Sequence, residues 1–120
     1  MRVIIAGSRT VTDMAELEKA ITASGFQITS IVCGGAIGAD KLGEKYAYVN
    51  DIPITYFLPD WDTHGKKAGP IRNSEMANYV GSEGAAIILW DGISKGSQDM
   101  INKASAKGLK VYVHLVVPKV

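Results

Sequence analysis

Ile31-Val32-Cys33-Gly34-Gly35-Ala36-Ile37-Gly38-Ala39-Asp40 passes from a short apolar run straight into a glycine-rich turn. A helical pattern follows over about 38–50, with Leu42, Tyr46 and Val49 on one stripe. The apolar run, about 29–33, reads as a buried strand, so the stretch is one strand–turn–helix unit of a parallel sheet. The same succession recurs along the chain. Gly7-Ser8-Arg9 follows Val3-Ile4-Ile5-Ala6, and the polar stretch from Asp60 to Asn73 follows Ile54-Thr55-Tyr56-Phe57-Leu58. Asp91-Gly92-Ile93-Ser94-Lys95-Gly96-Ser97 follows Ala85 to Trp90. In a parallel sheet the carboxyl ends of all strands share one edge. Four such clusters therefore converge on one crevice, where open α/β sheets bind ligands.

The remaining elements fall between these units. Strands are expected over about 2–6, 53–58, 85–90 and 110–117. Asp13 can cap a helix over 14–23, with Met14, Leu17 and Ile21 on one face and Gly25 closing it. Pro70 suits the first turn of a helix over 70–80, where its missing N–H costs nothing. Ser97 is read as the cap of a helix over 98–107, ended by Gly108. Five strands and four crossover helices make an α/β fold: a single Rossmann-like three-layer domain over 1–120, with a five-stranded parallel sheet in the order 3-2-1-4-5 and helices on both faces. The connection from Pro59 to Gly69 is the one long loop, a length that often carries function.

Composition narrows the classes. The chain has 120 residues, 47% of them hydrophobic, which suits a globular domain and argues against disorder. The net charge of +1 argues against a protein built to coat nucleic acid. Cys33 is the single cysteine, so no intrachain disulfide forms, and it reads as a small buried apolar residue. No apolar run approaches the roughly 18 residues of a membrane span, and Met1-Arg2-Val3-Ile4-Ile5 enters a strand without a signal-peptide pattern. A cytoplasmic protein without membrane contact is expected. No His, Cys and Asp spacing suggests zinc, and no metal or cofactor is expected. His114 reads as a structural histidine.

Each cluster offers recognisable chemistry. Gly34, Gly35, Ala36, Gly38 and Ala39 are small enough for backbone N–H groups to approach an anion at a helix start. The spacing is neither the Rossmann dinucleotide fingerprint nor a Walker A. Asp40 either bonds a ribose hydroxyl or sits in the first helical turn as a dipole partner; the sequence leaves both open. Gly7, Ser8 and Arg9 bring a hydroxyl and a planar cation suited to phosphate or carboxylate. Trp61 can stack on a base, while His64, Lys66 and Arg72, with Gly69 and Asn73, can meet phosphates. Asp91 with Gly92 can accept from a base or ribose, and Ser94, Gly96 and Ser97 can donate to phosphate, although an ordinary turn and cap would use the same residues.

Taken in order, Gly7-Ser8-Arg9, Gly34 to Asp40, Trp61 with Gly65-Lys66, Ala68-Gly69 and Arg72-Asn73, and Asp91-Gly92 with Ser94 and Gly96 resemble the YspA-like branch of the SLOG superfamily. That superfamily also holds the LOG phosphoribohydrolases and DprA. The resemblance implies a Rossmann-like domain binding a nucleotide or nucleotide-derived molecule, a homo-oligomer (dimer or tetramer), and a setting in nucleotide signalling or conflict between bacteria and phages. It also suggests an alternative, a nucleoside-phosphate N-glycosidase with Asp40 or Asp91 as catalytic candidate, and a third, a DprA-like single-strand DNA binder that the near-neutral charge disfavours. Ile37 stands where such motifs often carry a basic residue, and Ser97 where Thr is common. The LOG pattern Pro-Gly-Gly-x-Gly-Thr-x-x-Glu has no matching Thr or Glu here, Glu44 lying further into the helix.

Overall fold

The computed structural model describes residues 1–117. The chain alternates strand and helix: β1 (Arg2–Gly7), α1 (Met14–Ser24), β2 (Ser30–Cys33), α2 (Ala39–Val49), β3 (Ile54–Tyr56), α3 (Trp61–His64), a 3₁₀ turn (Gly65–Lys67), α4 (Ala68–Val80), β4 (Ala85–Trp90), α5 (Lys95–Ala106) and β5 (Lys110–Leu115). All strand pairs are parallel, and the sheet order is 3-2-1-4-5. This is the expected α/β architecture, with β1 and β4 adjacent at the centre.

Alternation of side chains along the strands builds two cores. Val3, Ile5, Ile31, Cys33, Ile87 and Leu89 face one side and pack under α1 and α2 with Leu17, Ala20 and Leu42. Ile4, Ala6, Val32, Ala86 and Ile88 face the other and pack under α4 and α5 with Met76, Ala77 and Met100. Burial on both faces explains the continuous apolar runs, since neither strand parity meets water. Each fully buried Ile or Leu contributes roughly 1.5–3 kcal/mol relative to exposure. Cys33 lies in this core, and burial pushes its thiol well above the usual range. Gly43 lets α2 sit directly on the sheet, because a Cβ there would come within 2.8 Å of Cys33 Sγ.

Several boundaries differ from the sequence reading, each for a local reason. β3 spans three residues rather than 53–58, because β2 gives way to the glycine turn after Cys33, so the ladder ends with the Phe57 N–H donating to Cys33 O at 2.9 Å. The long connection is not irregular. Asp60 accepts the Thr63 N–H at 3.2 Å and starts the short α3, and the 3₁₀ turn leads into α4 two residues before Pro70. Ser97 is not the cap of the last helix. Ser94 is: its Oγ accepts the Ser97 N–H at 3.3 Å, and α5 begins at Lys95. Asp13 and Gly25 behave as expected, Asp13 accepting from the Ala15 N–H at 3.0 Å and Gly25 taking a φ of 70°. His114 is satisfied, its Nε2 lying 2.6 Å from Glu16 Oε2. That contact joins β5 to α1 and holds the Glu16 carboxyl below its ordinary range.

Candidate functional site

The loops after β1, β2, β3 and β4 surround one cavity of about 700 Å³ at the carboxyl edge of the sheet. Its position follows from the topology. β1 sends its chain to one face through α1, and β4 sends its chain to the other through α5, so the connections diverge and leave a cleft. Gly7 permits the closest approach there, since a Cβ would overlap the Leu89 carbonyl oxygen on the adjacent strand. Ser8 is 1% exposed and knots the two strand ends together. Its N–H donates to Leu89 O at 2.9 Å, and its Oγ accepts the Asp91 N–H at 3.0 Å. Its hydroxyl also lies 3.4 Å from that of Ser97, which donates to Ser94 Oγ at 3.1 Å.

The glycine-rich turn forms one wall. Gly38 has a φ of 76° and sits so close to β1 that a Cβ would lie 2.5 Å from the Arg9 carbonyl oxygen. Asp40 is 4% exposed, yet its carboxylate reaches the cavity. Its Oδ2 accepts the Ala36 N–H at 3.1 Å. Burial pushes its carboxyl up to about 6, against the opposing pull of the Ala36 and Gly34 N–H groups and the Arg72 guanidinium. The neighbouring charge of Glu44 adds to the rise.

Arg72, in the second turn of α4, forms the opposite side with its neighbours. Its Nη1 donates to the Gly34 carbonyl at 2.8 Å and its Nε to Asn73 Oδ1 at 3.1 Å. Asn73 Nδ2 donates in turn to Asp99 Oδ2 at 3.0 Å and to the Gly96 carbonyl at 3.3 Å. Lys103 Nζ closes the chain, 2.9 Å from Asp99 Oδ2 and 2.6 Å from the Pro70 carbonyl. This network ties the turn after β2 to α4 and α5, and so fixes the width of the crevice. Partial burial holds the Arg72 guanidinium below its ordinary range, but still cationic.

Of the residues expected at the site, Gly7, Arg9, Gly34, Gly35, Ala36, Asp40, Trp61, Gly69, Arg72, Asn73, Ser94, Gly96 and Ser97 line the cavity. Ser8, Gly38 and Ala39 lie behind the wall, where the Ala39 N–H donates to Ser8 O at 3.3 Å. His64 and Lys66 are exposed on the outer segment and do not line it. Asp91 and Gly92 lie beside it. The Asp91 carboxylate is held by its own turn and by the loop after β1, Oδ1 accepting from the N–H groups of Ile93 at 2.9 Å and Ser94 at 2.8 Å and Oδ2 from the Thr10 hydroxyl at 3.3 Å. These bonds hold its carboxyl below the usual range. Sequence reasoning missed Leu58, Pro59, Ile37, Met76, Lys95, Asp99 and Met100 on the wall. Asp99 left no signal, because only folding sets it against Asn73. Among the described residues no group of three His, Cys, Asp or Glu could hold a metal ion, and no helix is long and apolar enough to cross a membrane.

A parallel sheet in the order 3-2-1-4-5, with this cleft at its carboxyl edge, defines a Rossmann-like domain. A family model described as YspA, cpYpsA-related SLOG family matches residues 1–64, and the chain belongs to that family. It is 32% identical to the Gene 61 protein of Mycobacterium phage D29, across 92% of this chain and 93% of that protein. No solved structure matches it.

Proposed function

We propose that the chain binds a nucleotide or nucleotide-derived signalling molecule in the crevice, for sensing or sequestration. The observation that carries this reading is the composition of this cavity. Trp61 and Leu58 offer an apolar surface at one end, Arg9 and Lys95 bring positive charge, and Asp40, Asn73 and Asp99 supply directed polar groups. A cavity of about 700 Å³ is the size of sites that take small organic ligands. Trp61 is 53% exposed over the start of α4, so its ring is open to stacking on a base. Family membership supports a nucleotide-related role in general. The same proposal takes the protein as a homo-oligomer acting in conflict between bacteria and phages, on the strength of the resemblance alone, and as cytoplasmic.

Asp40 favours a second reading. A buried carboxyl raised to about 6 can hold or release a proton near neutral pH, as a general acid or base must. If the bound molecule is a nucleoside phosphate, Asp40 is the group to act at its N-glycosidic bond, and Asp91, tied into its turn, is not. Mass spectrometry of small molecules released by denaturing the purified protein, followed by incubation of the same molecule with fresh protein, separates the two. A nucleotide recovered intact supports binding. A free base with a ribose phosphate supports cleavage. An empty protein that gains no thermal stability from a nucleotide panel contradicts both.

A further inference from the structure

The turn from Gly34 to Asp40 has the form of an anion cradle, and the protein's own carboxylate fills it. Asp40 is buried, yet forms part of the cavity wall. Its Oδ2 takes the Ala36 N–H at 3.1 Å, and the nearby Gly34 N–H also favours the charged carboxylate. A Cβ on Gly34 would overlap Arg72 Nη1 and lie 3.0 Å from Asp40 Oδ2, so carboxylate and guanidinium converge over this one residue. The N–H donors that a phosphate would use at a glycine-rich turn are therefore already occupied. An incoming phosphate would also meet a fixed negative charge at close range. A ligand group bearing O–H donors meets the opposite, since an ionised carboxylate has roughly four acceptor sites and the Ala36 N–H takes only one of them, while Arg72 Nη1 donates to the Gly34 carbonyl instead.

We infer that Asp40 is a specificity-determining residue that selects a vicinal hydroxyl pair, such as that of a ribose, at the glycine-rich turn and excludes phosphate from it. Two adjacent hydroxyls can donate together to one carboxylate, and a deoxygenated sugar leaves its oxygens without partners. The phosphate of the same ligand then lies toward Lys95 on the α5 wall. The inference rests on the crevice being the nucleotide site proposed above.

Two probes at pH 8 and matched ionic strength test it. The first is inorganic phosphate, followed by thermal shift and calorimetry. The wild-type protein is expected to ignore it. Asp40→Ala, with the Ala36 N–H freed and the negative charge beside the Gly34 N–H and the Arg72 guanidinium removed, is expected to bind it about tenfold or more tightly than wild type. Asp40→Asn, which keeps the shape, gains less. The second probe is the set of four nucleoside 5′-monophosphates against their 2′,3′-dideoxy counterparts. Wild type is expected to prefer the ribose forms by about tenfold or more, and Asp40→Asn to lose that preference. Phosphate that binds wild type and is lost in Asp40→Ala overturns the inference. So does phosphate ignored equally by all three proteins, or a ribose preference intact in Asp40→Asn. If no nucleotide binds any of the three, the proposed function fails, and the phosphate comparison still decides the role of Asp40.

Discussion

Replacing Asp40 by asparagine separates the cost of its charge from the contribution of its shape. The side chain is buried, and burial outweighs the backbone N–H groups and Arg72, so the folded carboxyl ionises at about 6 instead of 3.8. Such a group stabilises the fold fully at pH values below its unfolded pKa, and that stability is lost as pH rises through the folded one. At ~1.36 kcal/mol per unit, the loss approaches about 3 kcal/mol once Asp40 is ionised in both states. About 2.5 kcal/mol of it falls between pH 4 and pH 8, because the unfolded carboxyl is already largely ionised at the lower value. Asparagine can still accept the Ala36 N–H but does not titrate. Urea unfolding of both proteins at several pH values is the assay. The stability of Asp40→Asn minus that of wild type is expected to rise by about 2.5 kcal/mol across that range. Carboxylates remote from Asp40 cancel in the difference, and the lost attraction to Arg72 and repulsion from Glu44 set its offset. A difference that stays flat with pH, or an Asp40 carboxyl resonance that titrates near 4, would mean that burial does not raise this carboxyl.

Three further substitutions probe the walls of the crevice. Gly34→Ala drives the Arg72 guanidinium off the Gly34 carbonyl, and a charge-assisted bond of this kind is worth about 1.5–3 kcal/mol; an unchanged urea midpoint contradicts the network. Ser94→Ala removes the cap of α5 and is expected to cost about 1 kcal/mol by thermal or chemical unfolding. No loss there would return the cap to Ser97. Trp61→Ala is expected to weaken binding of a nucleoside monophosphate by about 1–3 kcal/mol in calorimetry while leaving the melting temperature near its wild-type value, since the ring is half exposed. A large fall in melting temperature with unaltered affinity would make Trp61 a structural lid instead.

The architecture was legible because strands buried on both faces must be apolar throughout, and Val3 to Ala6, Ile31 to Cys33 and Ala85 to Leu89 are. Helix signals worked where a polar cap met a periodic stripe, as at Asp13 with Met14, Leu17 and Ile21. They failed where the helix was too short to show a period, as in Trp61–His64, and where the first turn held poor helix formers, as at Gly96-Ser97. The crevice was legible as a set of strand-end clusters, but the roles inside it were not. Nothing in the order of residues tells that the Asp91 carboxylate turns back onto Ile93 and Ser94 while that of Asp40 turns into the cavity. Nor does sequence pair Asn73 with Asp99, twenty-six residues on, across a contact between two helices.

A ligand in the cleft between the β1 and β4 connections shifts the amide resonances around it. In a titration with nucleoside monophosphates, the largest changes are expected at Gly7, Gly35, Ile37, Gly96 and the Trp61 indole, with the groove between α1 and α2 around Met14 and Tyr46 silent. Changes confined to that second groove, or none with any nucleotide at millimolar concentration, would contradict binding in the cleft.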